Sequence, residues 1–179
     1  DTCYAVANNG NITRFFRSFN EGIDWETDPI INGQINNPNS RVELAVTPAN
    51  SNLVYLLCGG VPANGQFAGL FRSTNAGISF TQQSNTPNIL GRSNTGNDNQ
   101  NQSLYDLAVA VSNTTGATVM SGAIEVWRST NSGAAWTFRG NLHDDIHDLG
   151  FHPGDNKLWA ATDGGVYSSI DSGANWTSH

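Results

Sequence analysis

Apolar residues gather in short runs, each closed by Gly, Asn, Asp or Ser. Four runs are equivalent: "CYAVA" at 3–7, "LVYLL" at 53–57, "ATVM" at 117–120 and "KLWAA" at 157–161. Each leads into a Gly-rich turn ("NNG", "CGG", "SGA", "DGG") and then a second run ("ITRFF", "AGLF", "IEVW", "GVYS"). Before the last three stands a further run: "VELAVTP", "YDLAVAVS" and "HDLGFHP". Runs of this length bounded by turn residues read as β-strands, and no segment carries the 3.6-residue period of an amphipathic helix.

After each second run comes the same polar string. Residues 18–25 read "SFNEGIDW", 73–80 "STNAGISF", 129–136 "STNSGAAW" and 169–176 "SIDSGANW". The pattern is Ser-x-Asn/Asp-x-Gly-x-x-Trp/Phe, with Ser-to-Ser spacings of 55, 56 and 40 residues. A last short strand opens at each aromatic: "DWET", "SFTQQ", "AWTFR", "NWTS". Four strands per unit, repeating every 40–55 residues, is the pattern of propeller blades. The fold class is therefore all-β: a β-propeller of four-stranded blades at about 1–28, 41–84, 104–140 and 146–179, the first lacking its innermost strand. A chain opening on a second strand reads as a segment of a larger ring, whose exposed apolar flank would need covering by further blades or a partner chain.

The repeated string resembles the Asp box, or bacterial neuraminidase repeat, of sialidases, sortilin-type receptors and xyloglucan-cleaving glycosidases. Those are β-propellers in which the box turns from the third to the fourth strand. More narrowly, "NILG", "LYDLAVAVS", "IEVWRSTNSGAAW", "HDDIHDLGFHP" and "TDGGVYSSIDSGANW", in that order, resemble large secreted or surface propeller proteins of Bacteroidota, often exported by the type IX system. The resemblance implies an extracellular or cell-surface location.

Within each string, Ser18, Asn20, Gly22 and Trp25, with Ser73, Asn75, Gly77 and Phe80, Ser129, Asn131, Gly133 and Trp136, and Ser169, Asp171, Gly173 and Trp176, read as structural. The Asn or Asp oxygen accepts backbone N–H groups, the Ser hydroxyl supports the same turn, and Gly supplies positive φ. Three of the four boxes carry Asn, which keeps the acceptor and discards the acid, so neither acid catalysis nor metal binding is their task. Arg17, Arg72 and Arg128, with Ser168 in the fourth unit, recur in register and read as repeat features.

Composition narrows the partners. A net charge of −7 argues against nucleic acid and anionic membranes, and no apolar run approaches a membrane span of about 20 residues. The 23 Asn and 19 Gly favour turns. No leader is evident, so the sequence reads as mature or excerpted. Cys3 and Cys58, four positions out of register on equivalent strands, are about 13 Å apart along the strand direction, too far for a disulfide, and read as buried free thiols.

Propeller topology then directs attention to the face opposite the motif turns. There lie the loops that join fourth strands to next first strands, at about 27–40, 84–103 and 140–146; the second is long and Asn-rich, as suits recognition or plain disorder. Glu43, Asp106 and Asp148 align as one column near the channel mouth. Such a ring of acids suits a cation such as Ca²⁺, or else each carboxylate accepts N–H groups from a neighbouring blade. His143, Asp145 and His147 are metal-ligand types on one side of a strand, but the outer two are roughly 13 Å apart unless the chain bends before Ile146. Arg92 and Asp98 complete the candidate ligand-binding residues.

Catalysis has less support. Glycosidases usually set two carboxylates across the bond, and sialidases use a Tyr nucleophile with three arginines. The Arg-Ile-Pro signature of sialidases and the signature blade of xyloglucan-cleaving enzymes are absent, and Arg41, Arg92 and Arg139 lie in loops unlike that family's. The leading expectation is a non-catalytic module that binds a glycan or protein ligand or acts as scaffold. A glycoside hydrolase, or an appendage to an enzyme domain elsewhere, are the alternatives.

Overall fold

The structure, a computed structural model, describes residues 2–8, 13–27, 39–60 and 66–179. Fifteen strands form four antiparallel sheets among these residues. Blade 1 holds β1 (Cys3–Asn8), β2 (Thr13–Ser18) and β3 (Glu26–Thr27). Blade 2 holds β4 (Asn39–Val46), β5 (Val54–Gly60), β6 (Phe67–Ser73) and β7 (Thr81–Ser84). Blade 3 holds β8 (Ala108–Val111), β9 (Val119–Gly122), β10 (Val126–Ser129) and β11 (Thr137–Phe138). Blade 4 holds β12 (Ile146–Phe151), β13 (Leu158–Thr162), β14 (Gly165–Ser169) and β15 (Thr177–Ser178). Strands follow chain order in every sheet, and blade 1 is three-stranded among the described residues. This is an arc of propeller blades.

The core lies between blades. Alternate residues of one strand point to opposite neighbours, so a strand in mid-arc is apolar on both sides and reads as an unbroken run. Thus β5 is buried along its whole length: Val54, Leu56 and Cys58 join Phe15 and Tyr4 of blade 1, whereas Tyr55 and Leu57 join Val109 and Val119 of blade 3. Blades 3 and 4 meet through Ala110, Met120 and Val126 against Ile146, Leu149 and Leu158. Among the described residues no further sheet packs on the far side of blade 4: Trp159 is half-buried, with the Lys157 ammonium 4.7 Å from its ring centre and the His179 ring at 5.1 Å.

The four motif turns share one geometry. In the third, the Ser129 hydroxyl donates to Asn131 Oδ1 (2.9 Å) and accepts the N–H of Asn131 (3.3 Å) and of Gly133 (2.8 Å). Asn131 Oδ1 also accepts the Ala135 N–H at 2.9 Å. The same bonds recur around Ser18, Ser73 and Ser169. Two consecutive residues take positive φ in each turn, for example Ser132 (63°) and Gly133 (89°). Non-glycine residues therefore carry part of the left-handed conformation, at Glu21, Ala76, Ser132 and Ser172.

The last three turns also grip the blade before them. A Cβ on Gly133 would lie 2.0 Å from Leu70 Cδ2, and one on Gly77 2.7 Å from the Phe15 ring. The Trp136 indole N–H donates to Ser84 Oγ (2.9 Å), and that of Trp176 to the Arg139 carbonyl (3.1 Å). Phe80 packs edge-on against Phe15 at 5.0 Å. Trp25 meets no earlier blade among the described residues. It is 44% exposed, bonds its own turn at the Gly22 carbonyl (3.0 Å), and lines a cleft of about 350 Å³ with Arg17 and Phe19. The recurrent arginines stay within this framework: Arg17 pairs with Glu26 at 3.1 Å, Arg72 lies 5.9 Å from the Tyr55 ring centre, and Arg128 donates to the Asp171 carbonyl.

Both cysteines are free; Cys58 is fully buried and Cys3 half-buried. Burial pushes the Cys58 thiol up to about 12.

Candidate functional site

The loops sort onto two faces. Motif turns bond the turns joining first and second strands, as in Ser132 N–H to Ala117 O at 2.8 Å. On the opposite face the segment after β7 meets the ends of inner strands: Gln66 donates to Asn99 (2.7 Å), and Asn101 to the Gly60 carbonyl (3.0 Å). Of the three loops expected here, that at 27–40 lies mostly outside the described residues.

The segment 85–107 is built, not loose. Ile89 and Leu90 are fully buried between blades 2 and 3. Between them and solvent, the Asn88 amide donates to Asp98 and to the Gln100 carbonyl, while its oxygen accepts the Phe67 and Leu90 N–H groups. Asp98 is therefore an internal brace, also accepting the Ser93 and Gln100 N–H groups, rather than a group turned toward a ligand. Arg92 does reach the surface, but pairs with Asp144 of the loop entering blade 4. Behind that pair, burial and the Asp144 charge push the Glu125 carboxyl up to about 7.

His143, Asp145 and His147 do not converge. Asp145 takes φ of 62°, and the β12–β13 register slips between Ile146 and Asp148, so His147 sits in a bulge. The chain does bend before Ile146, yet it sends the three side chains to separate partners. His143 Nδ1 lies 3.1 Å from the Asp144 carbonyl, Asp145 accepts from the Gln102 amide at 2.7 Å, and His147 Nε2 lies 2.6 Å from Asp163 Oδ1.

The carboxylate column also separates. Glu43 pairs with Arg41 (2.7 Å), whose other arm donates to the Tyr105 carbonyl at 3.1 Å. Asp148 is exposed and accepts the Leu149 N–H at 2.9 Å. Asp106 alone is fully buried, and neither of its oxygens has a hydrogen-bond partner. One sequence column here spans three environments because the strands begin at different points: β4 starts before Glu43, β8 after Asp106, and β12 passes through a bulge. Among the described residues no three His, Cys, Asp or Glu side chains are placed to share a metal ion, so the Ca²⁺ suggested by the column has no donor set. Nor do Arg41, Arg92 and Arg139 form a clamp: Arg139 lies beside Arg128, with its carbonyl under Trp176.

What the structure does bring together was not evident in the sequence. Asp106 faces Asp145, His147 and Asp163, and desolvation, reinforced by the Asp145 charge, pushes its carboxyl up to about 7. Tyr105, 60% exposed, sets its ring edge-on to His147 with centres 5.0 Å apart. Leu104 beside it is 68% exposed. In sequence, "YDLAVAVS" reads as a strand opening at Tyr105; the strand starts only at Ala108, and Ser103–Tyr105 form a turn. The preceding polar run "NDNQNQS" is the one signal that the strand begins late. Asp163, in "TDGG", reads as an ordinary turn residue.

No protein-family model and no curated protein matches the chain. Solved structures do resemble it. An ancestral GH74 enzyme aligns over 100% of this chain and 23% of its own, at 19% identity and a TM-score of 0.56. The GH74 xyloglucanase from Xanthomonas campestris aligns over 99% of this chain and 32% of its own, at 19% identity and 0.60. YCF48 from Cyanidioschyzon merolae aligns over 98% and 51%, at 11% identity and 0.60. The chain thus spans between 23% and 51% of these proteins' lengths. At such identities the likeness speaks for architecture alone, and with the four sheets and their order it gives the chain the fold of a partial β-propeller.

Proposed function

We propose that the chain is a non-catalytic recognition module of a secreted or cell-surface protein, presenting its channel-mouth face to a glycan or protein ligand. The observation that carries this reading is the segment 85–107. It is long, anchored by Ile89 and Leu90 and braced by Asn88 and Asp98, yet it holds Leu104 and Tyr105 out to solvent. A rigid scaffold presenting exposed apolar side chains on one face suits recognition. The open flank at Trp25, where every later motif aromatic grips a preceding blade, supports further blades or a partner chain continuing the ring.

The mouth chemistry also favours binding over hydrolysis. A general acid must reach the leaving oxygen; of the two carboxyls pushed up to about 7, Asp106 is fully buried and Glu125 is half-buried beside the Arg92–Asp144 pair. A glycan array, run beside turnover of a fluorogenic sialoside and of a xyloglucan oligosaccharide, tests this. Specific binding lost in Tyr105→Ala without turnover is expected. Turnover abolished by Asp106→Asn or Asp145→Asn overturns the reading.

A further inference from the structure

The mouth cluster is short of positive charge. Asp106, Asp145 and Asp163 face one another around a single imidazole, His147, while the nearby Arg41 is spent on Glu43. Asp145 and Asp163 have partners with donors, Gln102 and His147. Asp106 has no donor from another residue, although it is fully buried. A buried carboxyl without a donor from another residue is costly to ionise, and a positive charge brought to the cluster offsets that cost. At the same cluster Tyr105 sets its exposed ring against His147, suited to lie against a cation, with the exposed Leu104 next to it in the chain to cover an alkyl stem.

Other ligand classes fit less well. An anion meets three carboxylates. A metal ion finds no three side chains placed to share it. A neutral sugar hydroxyl hydrogen-bonds to exposed carboxylates but leaves the charge excess uncorrected.

We propose that the channel mouth binds one basic side chain of a protein partner, a lysine ammonium or arginine guanidinium, held between the Tyr105 ring and the carboxylates of Asp145 and Asp163, with the unpartnered Asp106 as the buried counter-charge. This rests on the recognition reading above and names its ligand as a basic peptide segment. It carries a proton signature. Burial first, and then the charges of Asp145 and Asp163 that face it, keep Asp106 protonated, and His147 opposes them. A cation arriving at the mouth favours the ionised form, so Asp106 sheds its proton as the ligand binds.

The experiment is calorimetric titration of the full chain with N-acetylated tetralysine amide, near neutral pH, in two buffers of different ionisation enthalpy. With Asp106 poised at about 7, binding releases about half a proton. Tyr105→Ala and Asp163→Asn weaken binding by roughly tenfold each, Tyr105→Phe keeps it, and Asp155→Asn, in the β12–β13 turn, leaves it unchanged. Asp106→Asn abolishes the buffer dependence, with its melting curve showing that the fold persists. Absence of tetralysine binding, equal weakening by Asp155→Asn, or binding with no proton release each overturns the proposal. A glycan held at Tyr105 by a chain that ignores tetralysine sinks the cation assignment and leaves the recognition reading standing. Glycoside turnover sinks the recognition reading itself.

Discussion

Asn131 is where the role of the motif is best tested, because its side chain does one thing. At the equivalent Asn20 and Asn75 the amide Nδ2 also donates to residue i+4, to Asp24 and Ser79. Position 135 is alanine and offers no side-chain acceptor, so Asn131 works through Oδ1, which receives the Ser129 hydroxyl and the Ala135 N–H, both at 2.9 Å. Asn131→Ala removes both bonds. At about 1 kcal/mol net per bond the loss is roughly 2 kcal/mol, or a Tm drop of roughly 4–8 °C for a domain of this size. Asn131→Asp keeps the acceptor and loses nothing else. It also gains a carboxylate placed like Asp171, whose carboxyl is held well below the usual range by donors from Asn175 and Ser169; at position 131 the Asn175 side-chain donor has no counterpart, and the Ala135 N–H and the Ser129 hydroxyl hold the carboxylate with a smaller effect. A depressed folded-state pKa stabilises above the unfolded value of about 3.9, and the gain fades as pH falls through the folded value. Urea melts of the three proteins at neutral pH and at pH about 3 read this out. Should Asn131→Asp destabilise as much as Asn131→Ala at neutral pH, the turn depends on something other than an acceptor oxygen, and the structural account of the motif fails.

Three further outcomes follow from the packing. Gly22→Ala and Gly133→Ala share the strain of a positive φ (87° and 89°), roughly 1–2 kcal/mol, but only the second drives a Cβ onto Leu70, which adds about 1–3 kcal/mol; equal urea midpoints would show that the contact between blades 2 and 3 tolerates the extra carbon. Stability of the unaltered chain falls as pH rises from about 4 to about 7, because the unfolded Asp106 and Glu125 carboxyls ionise near 4 while the folded ones stay protonated to about 7; Asp106→Asn lessens that slope and leaves the Glu125 share, and urea melts across this range measure both. Thiol labelling of the native chain, read by mass spectrometry, modifies Cys3 and spares Cys58, which reacts only after unfolding.

The architecture was legible in the sequence because blades repeat. Ser18, Ser73, Ser129 and Ser169 mark the same bend four times, and the runs between them have the length and turns of strands. Among the described residues the strands of each sheet match the apolar runs that stand around each motif. The mouth was less legible, because its residues lie where the repeat breaks down. Glu43, Asp106 and Asp148 align letter for letter, yet an arginine two residues away, a late strand start and a bulge give them three fates. Tyr105 looked like one more strand residue, and Asp163 like one more turn residue, because alternation fixes the sides of a strand only where the strand exists. The positive φ at Asp145 left no mark in the sequence beyond the tolerance of Asp for that conformation. The pairing of Asp145 with Gln102, 43 positions earlier, is a contact that no local pattern encodes.

The backward reach of the motif aromatics has a consequence for how the molecule comes apart. Phe80, Trp136 and Trp176 each tie a blade to its predecessor, so an arc of blades behaves as a short one-dimensional lattice with nearest-neighbour coupling. In such a lattice an end unit loses one coupling when it melts and an interior unit loses two. Blade 2, flanked on both sides and buried throughout β5, is the thermodynamic keystone. Blade 1, three-stranded among the described residues and with a Trp25 that meets no earlier blade there, is held by fewer such ties than blade 2, so amide exchange runs faster in blade 1 than along β5.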